Sequence, residues 1–383
     1  SHPIFHTSPG PQPREGMKEH HHHLSQVSPK VDRFFERTFD KLEIAKPDNL
    51  EESLQGCRVM IASTHRSHVD YFLLGNLLHH LGVDNIRFAA GDNLMNFPYL
   101  GKRFRNWGAY AVERDRANSR NYLVDLCMKT ASMLEEKDSI LVFPEMGRSY
   151  KGSMLEMKQV ILTAAILVQA RRPQEKVVYL PAAISYERLP ELSWFDILLT
   201  GKKWRKPENS TAKRLIGSVL YFGADLVAIG KFYHSWRFGK AYGSTYVDFG
   251  KPVPVPQIVD FTADYNSSAP GEFWAYRAGA KKVSAFLFEQ LQSLYRVLPG
   301  HVLGKALATG AKTRSDAERH AAQIMDSLRT GNRNIRTLQG HSPEQIVTAG
   351  TRQLAYDKAI ALSGDRFVVK RSTIVDYYAA ALG

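Results

Sequence analysis

Apolar residues recur in two rhythms along this chain. Between residues 58 and 249, short and nearly continuous apolar runs alternate with longer stretches whose apolar positions repeat every three or four residues. The runs at 58–63, 85–90, 109–112, 139–143, 176–184 and 245–249 have the length and composition of strands buried on both faces. The stretches at 70–81, 118–136 and 154–171 carry helical spacing. Strands alternating with helices predict an α/β fold whose mostly parallel or mixed sheet is flanked by helices. A Pro-rich segment at 251–257 closes this region.

The flanks read differently. Residues 27–46 show helical spacing through Val31, Phe34, Phe35, Phe39 and Leu42. Residues 1–30 are rich in Pro, Ser and His and are expected to be disordered. The tract His20–His23 could bind a metal, but a low-complexity tract is the plainer reading. After Pro299 the pattern turns strongly helical. Ser315-Asp316-Ala317-Glu318 and Ser342-Pro343-Glu344-Gln345 look like helix starts, each with a cap and an early carboxylate. A hairpin expected at 361–370 would complete a small winged-helix-like tail. The expected organisation is a disordered tail and helical segment over 1–50, an α/β domain over 51–298 and a helical region over 299–383.

Composition narrows the partners. The 383 residues include 51 Lys and Arg against 38 Asp and Glu, a net +13 that favours anionic partners such as phosphorylated substrates, coenzyme A, acidic carrier proteins, anionic lipid or nucleic acid. Two cysteines, Cys57 and Cys127, cannot build a disulfide framework and read as small apolar residues. No apolar run reaches the roughly 18–20 residues of a spanning helix, and no secretory pattern opens the sequence. Residues 200–240 interleave Lys202, Lys203, Trp204, Arg205, Lys206, Lys213, Arg214, Tyr233, Trp236 and Arg237 around an apolar stretch at 215–229. That mixture suits a membrane interface, and a solvated face beside a core helix is the competing reading.

The candidate chemistry lies at strand ends. Thr64-His65-Arg66-Ser67-His68-Val69-Asp70-Tyr71 follows the first apolar run and places an imidazole and a carboxylate five positions apart, at the carboxyl edge of a sheet where open α/β folds bind ligands. Most such pairs are turn residues or helix caps, so this one carries little alone. Three more segments end strands in order: Trp107-Gly108-Ala109-Tyr110-Ala111-Val112-Glu113-Arg114, Phe143-Pro144-Glu145-Met146-Gly147-Arg148-Ser149 and Leu180-Pro181-Ala182-Ala183-Ile184-Ser185-Tyr186-Glu187. All four can face one crevice.

The ordered set resembles the four blocks of the glycerolipid acyltransferases that share a His-X-X-X-X-Asp motif. Its HRSHVDY is most like that of bacterial membrane-associated glycerol-3-phosphate acyltransferases and their dihydroxyacetone-phosphate relatives. The run Ala89-Ala90-Gly91-Asp92-Asn93-Leu94 and the later Gly243-Ser244-Thr245-Tyr246-Val247-Asp248-Phe249-Gly250-Lys251-Pro252 add to the likeness, which covers roughly residues 55–256. The chemistry suits the residues. His65 can accept the proton of an acceptor hydroxyl that attacks an acyl thioester, and Asp70 can orient the imidazole. His68 is the competing base. The resemblance assigns Arg114 and Arg148 to the acceptor phosphate, with Glu145 and Gly147 shaping the turn. Backbone N–H groups of the turn ending at Ser149 are candidate oxyanion donors, and Lys151 can add charge. Met146 and Tyr150 depart from the family pattern, where Gly and Arg are usual.

The reading implied is transfer of a fatty acyl group from acyl-CoA or acyl-carrier protein to the sn-1 hydroxyl of glycerol 3-phosphate, at an anionic membrane surface on the cytoplasmic face of the inner membrane. No cofactor, metal or nucleic acid is expected. The alternatives are dihydroxyacetone phosphate or 1-acylglycerol 3-phosphate as acceptor, or an inactive phospholipid-binding protein.

Overall fold

The computed structural model describes residues 18–91, 105–113, 116, 119–145, 147–189, 191–192, 237, 239 and 242–383, with side chains from Ser28 onward. The chain enters through α1 (Lys18–Thr38), β1 (Lys41–Ala45), α2 (Leu50–Leu54), β2 (Arg58–Ser63), α3 (Asp70–His80), β3 (Ile86–Gly91) and β4 (Ala109–Val112). It continues through α4 (Arg120–Glu135), β5 (Ser139–Val142), α5 (Gln159–Arg171), β6 (Val177–Tyr186), β7 (Ser244–Phe249) and β8 (Val253–Pro254). It ends with α6 (Glu272–Ala275), α7 (Arg277–Leu294), α8 (Pro299–Ala308), α9 (Arg314–Thr330), α10 (Pro343–Tyr356), β9 (Ile360–Ser363), β10 (Arg366–Val369) and α11 (Ser372–Ala380).

Eight strands form one mixed sheet in the order β1-β7-β6-β2-β5-β3-β4, with β8 beside β6. β6, β2, β5, β3 and β4 run parallel, and β7 is antiparallel to β6. Both faces are covered, which is why the central strands read as unbroken apolar runs. Val59 and Ile61 of β2 pack on one side with Leu73, Leu74 and Leu77 of α3. Met60 and Ala62 pack on the other with Leu134 of α4, Leu162, Ile166 and Leu167 of α5, and Val283 of α7. The expected α/β class and the six expected strands are present.

Two expectations at the amino terminus change. Residues 18–30, expected to be disordered, belong to α1. Tertiary packing outweighs their polar composition, because Phe35 is buried and Val31 and Phe34 pack on the same core. Ser28 Oγ also donates to Asn76 Oδ1 of α3 at 2.6 Å, and Asn76 Nδ2 donates to Asp32 Oδ1 at 2.6 Å. Residues 41–45, expected to continue a helix, form β1 instead. Leu42 and Ile44 stand two apart, and the strand pairs in parallel with β7, Leu42 opposite Thr245 and Ile44 opposite Val247.

The carboxyl-terminal elements rest directly on the sheet. Val302 and Leu303 of α8, Val347 of α10 and Ile374 of α11 share one buried cluster with Leu180 and Ile184 of β6. Arg296 is buried against the ring of Tyr246 and bonds Asp248 Oδ2 at 2.7 Å and Glu43 Oε1 at 2.5 Å, so it ties β7 and β1 to the segment leading into α8. α10 starts at the Ser342 cap, with Gln345 closing the box, as its sequence predicts. The cap of α9 lies two residues before the expected one. Thr313 Oγ1 accepts from the Asp316 N–H, and Asp316 accepts from the Thr313 N–H. The hairpin β9–β10 lies where it is expected.

His301, in the first turn of α8, is buried with Nδ1 accepting the Leu298 N–H at 3.1 Å. Burial, with Arg333 and Arg66 nearby, depresses its pKa to about 3. The unfolded chain binds a proton there below about pH 6.5 and the folded chain does not, so stability falls as pH drops through that range. His301→Gln keeps an acceptor without a titrating group. Urea unfolding should show the variant losing about 2 kcal/mol less than the parent between pH 7 and pH 5. Equal losses in the two proteins would show that His301 does not carry this dependence.

Candidate active site

The parallel strands deliver their carboxyl ends to one edge of the sheet. β2 leads into Thr64, whose N–H reaches the Ala182 carbonyl at 3.3 Å and whose Oγ1 accepts the Ile184 N–H at 2.9 Å. The chain then turns through residues 65–69 and enters α3 at Asp70. A carboxylate in the first turn of a helix is favoured by the exposed N–H groups there.

Asp70 is fully buried and both its oxygens are engaged. Oδ2 accepts from His65 Nδ1 at 2.9 Å, the Arg66 N–H at 2.7 Å and the Ser67 N–H at 2.9 Å. Oδ1 accepts from the Tyr186 hydroxyl at 2.6 Å. Because the carboxylate accepts, the His65 proton sits on Nδ1 and the lone pair on Nε2. The Tyr71 hydroxyl lies 3.5 Å from Nε2, and the rings of Phe143 and Tyr71 pack against the imidazole with centroids at 4.4 and 5.2 Å. Burial lowers the His65 pKa, against the opposing hydrogen bond and charge of Asp70, and Arg148 and His68 lower it further. The imidazole is therefore neutral near pH 7 and able to accept a proton.

The third block supports this pair. Glu145 is buried, with Oε1 accepting the His65 N–H at 3.1 Å, Oε2 accepting the Leu155 N–H at 2.8 Å and Arg66 Nη1 3.6 Å away. Both oxygens face protein, so Glu145 braces the turn. Ser149 is also buried. Its hydroxyl donates to the Ser153 carbonyl and its N–H points to the His65 carbonyl at 3.4 Å, which removes that N–H from the candidate oxyanion donors. Gly147 has no left-handed φ, and among the described residues an added Cβ would meet nothing within 4 Å, so no described neighbour calls for glycine there. Arg148 Nη1 stands 3.8 Å from Glu191 Oε1, and its guanidinium lies 5.5 Å from the Tyr150 ring. Lys151 is exposed at a turn. Arg114, Met146 and most of 200–240 lie outside the described residues.

Four participants have no role in the sequence reading. Glu191 is buried and accepts from Ser67 Oγ at 2.9 Å and the His68 N–H at 2.9 Å, so it links the first block to Arg148. Tyr186 stands in the fourth block, where its hydroxyl reads like that of any strand tyrosine. Arg66 is almost wholly buried, with its guanidinium 5.0 Å from the Tyr295 ring and with Nε and Nη1 lacking hydrogen-bond partners among the described residues. Tyr295 follows α7, far along the chain, and no local pattern could announce it. The carboxyl-terminal helices reach the same place. Gly152 adopts φ +89°, and a Cβ there would lie 1.9 Å from the Tyr377 carbonyl of α11. Among the described residues, no group of three or more His, Cys, Asp or Glu side chains is placed to hold a metal ion.

An NMR titration of His65 tests these electrostatics. The parent should titrate below about 6.5, the ordinary histidine value. Asp70→Asn should lower the value further, because the carboxylate favours the imidazolium, and Arg148→Met should raise it. A higher value than the ordinary one, or one indifferent to both substitutions, would contradict the geometry.

Residues 41–185 match the family model described as Acyltransferase. The chain is 26% identical over 229 residues to a glycerol-3-phosphate acyltransferase of Alteromonas mediterranea, covering 60% of this chain and 25% of that protein. It is 29% identical over 212 residues to one of Xanthomonas axonopodis pv. citri, covering 55% and 22%. The chain thus spans about a quarter of the length of these curated relatives. A solved 1-acyl-sn-glycerophosphate acyltransferase from Thermotoga maritima aligns with TM-score 0.38 and 16% identity over 73% of this chain and 81% of that one. Residues 41–185 of this chain thus carry a domain of the kind the Acyltransferase family model describes.

Proposed function

We propose that this chain transfers a fatty acyl group from a thioester, acyl-CoA or acyl-carrier protein, to the sn-1 hydroxyl of glycerol 3-phosphate. The observation that carries the proposal is the buried His65–Asp70 pair, with Nδ1 held at 2.9 Å and Nε2 left as the basic atom. The names of the curated relatives support the acceptor.

The steps follow from that geometry. Nε2 takes the acceptor's hydroxyl proton while the oxygen attacks the thioester carbonyl, a contribution of roughly 10²–10⁴-fold. Asp70 stabilises the imidazolium without taking its proton. The tetrahedral intermediate collapses, the C–S bond breaks, and the thiolate recovers the proton from His65. No enzyme nucleophile is required, because the acceptor supplies it. Arg148 offers a guanidinium fork to the acceptor phosphate, with Glu191 holding its other side. The lipid product and the net +13 support attachment at an anionic surface, on the cytoplasmic face of the inner membrane.

With labelled acyl-CoA and three acceptors, kcat/KM should rank glycerol 3-phosphate first, dihydroxyacetone phosphate second and 1-acylglycerol 3-phosphate far behind. His65→Ala should lose at least about a hundredfold in turnover while remaining folded. Arg148→Lys keeps the charge without the fork and should raise KM for the acceptor more than for the donor. Turnover on the lysophospholipid alone would replace the acceptor. No transfer to any acceptor, with acyl-carrier protein also supplied as donor, would defeat the enzymatic reading and favour a phospholipid-binding protein.

A further inference from the structure

Large apolar side chains are seldom bare in this fold. Among the described residues five are well exposed, and Tyr356, Leu362, Val368 and Val369 make up all but one of them. Tyr356, at the end of α10, has the Arg188 guanidinium 3.7 Å over its ring, and the other three occupy the β9–β10 hairpin. Scattered exposed apolar residues need no explanation, but a cluster rimmed mainly by cations does.

The pairing register shows how the ribbon presents them. Leu362 stands opposite Phe367, and Ile360 opposite Val369, on one face. Ala361 and Val368 pair on the other. Ile360 is buried and Phe367 half-buried, which anchors the ribbon, while Leu362 lies beside the turn at Gly364, φ +64°. Exposed apolar groups thus occupy both faces of one ribbon. A rigid partner docks against one face, whereas a fluid interface can surround both.

The rim is cationic. Arg352, Lys358, Arg366 and Lys370 are exposed, and exposed Lys312 lies alongside, its carbonyl accepting the Phe367 N–H at 2.9 Å. The carboxylates between residues 352 and 371 are Asp357, which accepts the Tyr378 hydroxyl at 2.6 Å, and Asp365. Exposed apolar groups interleaved with cations along the ribbon match the acyl boundary and the anionic headgroups of a bilayer, with Asp365 in the turn the one exposed carboxylate of the ribbon.

We propose that the β9–β10 hairpin, with its flanking cations, is a surface by which this chain attaches to anionic lipid. α11 follows the hairpin directly, and its Tyr377 carbonyl packs on Gly152 beside the candidate site. Attachment here would bring the bilayer within one helix of that site. The inference does not rest on acyl transfer, because lipid binding is measured without turnover.

Co-sedimentation with phosphatidylglycerol–phosphatidylcholine vesicles, against phosphatidylcholine alone, tests it. The parent should bind the anionic vesicles and release them as salt rises. Two triple variants, Leu362→Ser with Val368→Ser and Val369→Ser, and Lys358→Ser with Arg366→Ser and Lys370→Ser, should each lower the partition coefficient at least about tenfold. The second should also lose most of the preference for anionic vesicles. Thermal melting checks folding, and the single Leu362→Glu at the tip serves if a triple variant unfolds. No binding by the parent, or full binding by both triple variants, would overturn the proposal. Hairpin-dependent binding to DNA or to an acidic carrier protein, without vesicle binding, would overturn it too.

Discussion

Asp70 has no contact with solvent, and four donors from two strand ends converge on it. Two are backbone N–H groups of the turn that carries His65, one is the imidazole itself, and one is the Tyr186 hydroxyl at the end of β6. A buried carboxylate is tolerable only when its oxygens are satisfied. Here the same bonds that satisfy it fix the turn, choose the imidazole tautomer and bind β2 to β6. The shape of the turn and the basicity of Nε2 therefore depend on one side chain.

Around that centre the charges are arranged in layers. Glu145 holds the His65 backbone, Arg66 lies between Glu145 and the Tyr295 ring, and Glu191 joins the first block to Arg148. Removing one member would leave another charge buried without its partner, which costs more than the pair contributes. The carboxyl-terminal helices belong to this arrangement, since Tyr295 covers Arg66 and the Tyr377 carbonyl covers Gly152.

Much of this is legible in the sequence for a physical reason. Strands covered on both faces need unbroken apolar runs, so β2, β5 and β6 announce themselves, and a Ser-Pro-Glu-Gln cap announces α10. Strand ends bring His65, Asp70, Glu145 and Arg148 together because parallel strands share a carboxyl edge. What the sequence conceals depends on long-range packing. β1 is short and acquires its identity by pairing with β7, and α1 gains its order on α3. Glu145 carries a motif position yet turns both oxygens inward. Arg66 stands inside the motif, but its burial depends on Tyr295, a residue remote in the sequence.

The pH dependence of kcat/KM for acyl transfer tests the central claim most directly. If buried His65 is the base, the rate should rise through a single ionisation below about 6.5 and stay level to neutrality. Tyr186→Phe, which removes one donor from Asp70, should displace that limb. A limb centred above the ordinary histidine value, or one that Tyr186→Phe leaves unmoved, would contradict the account.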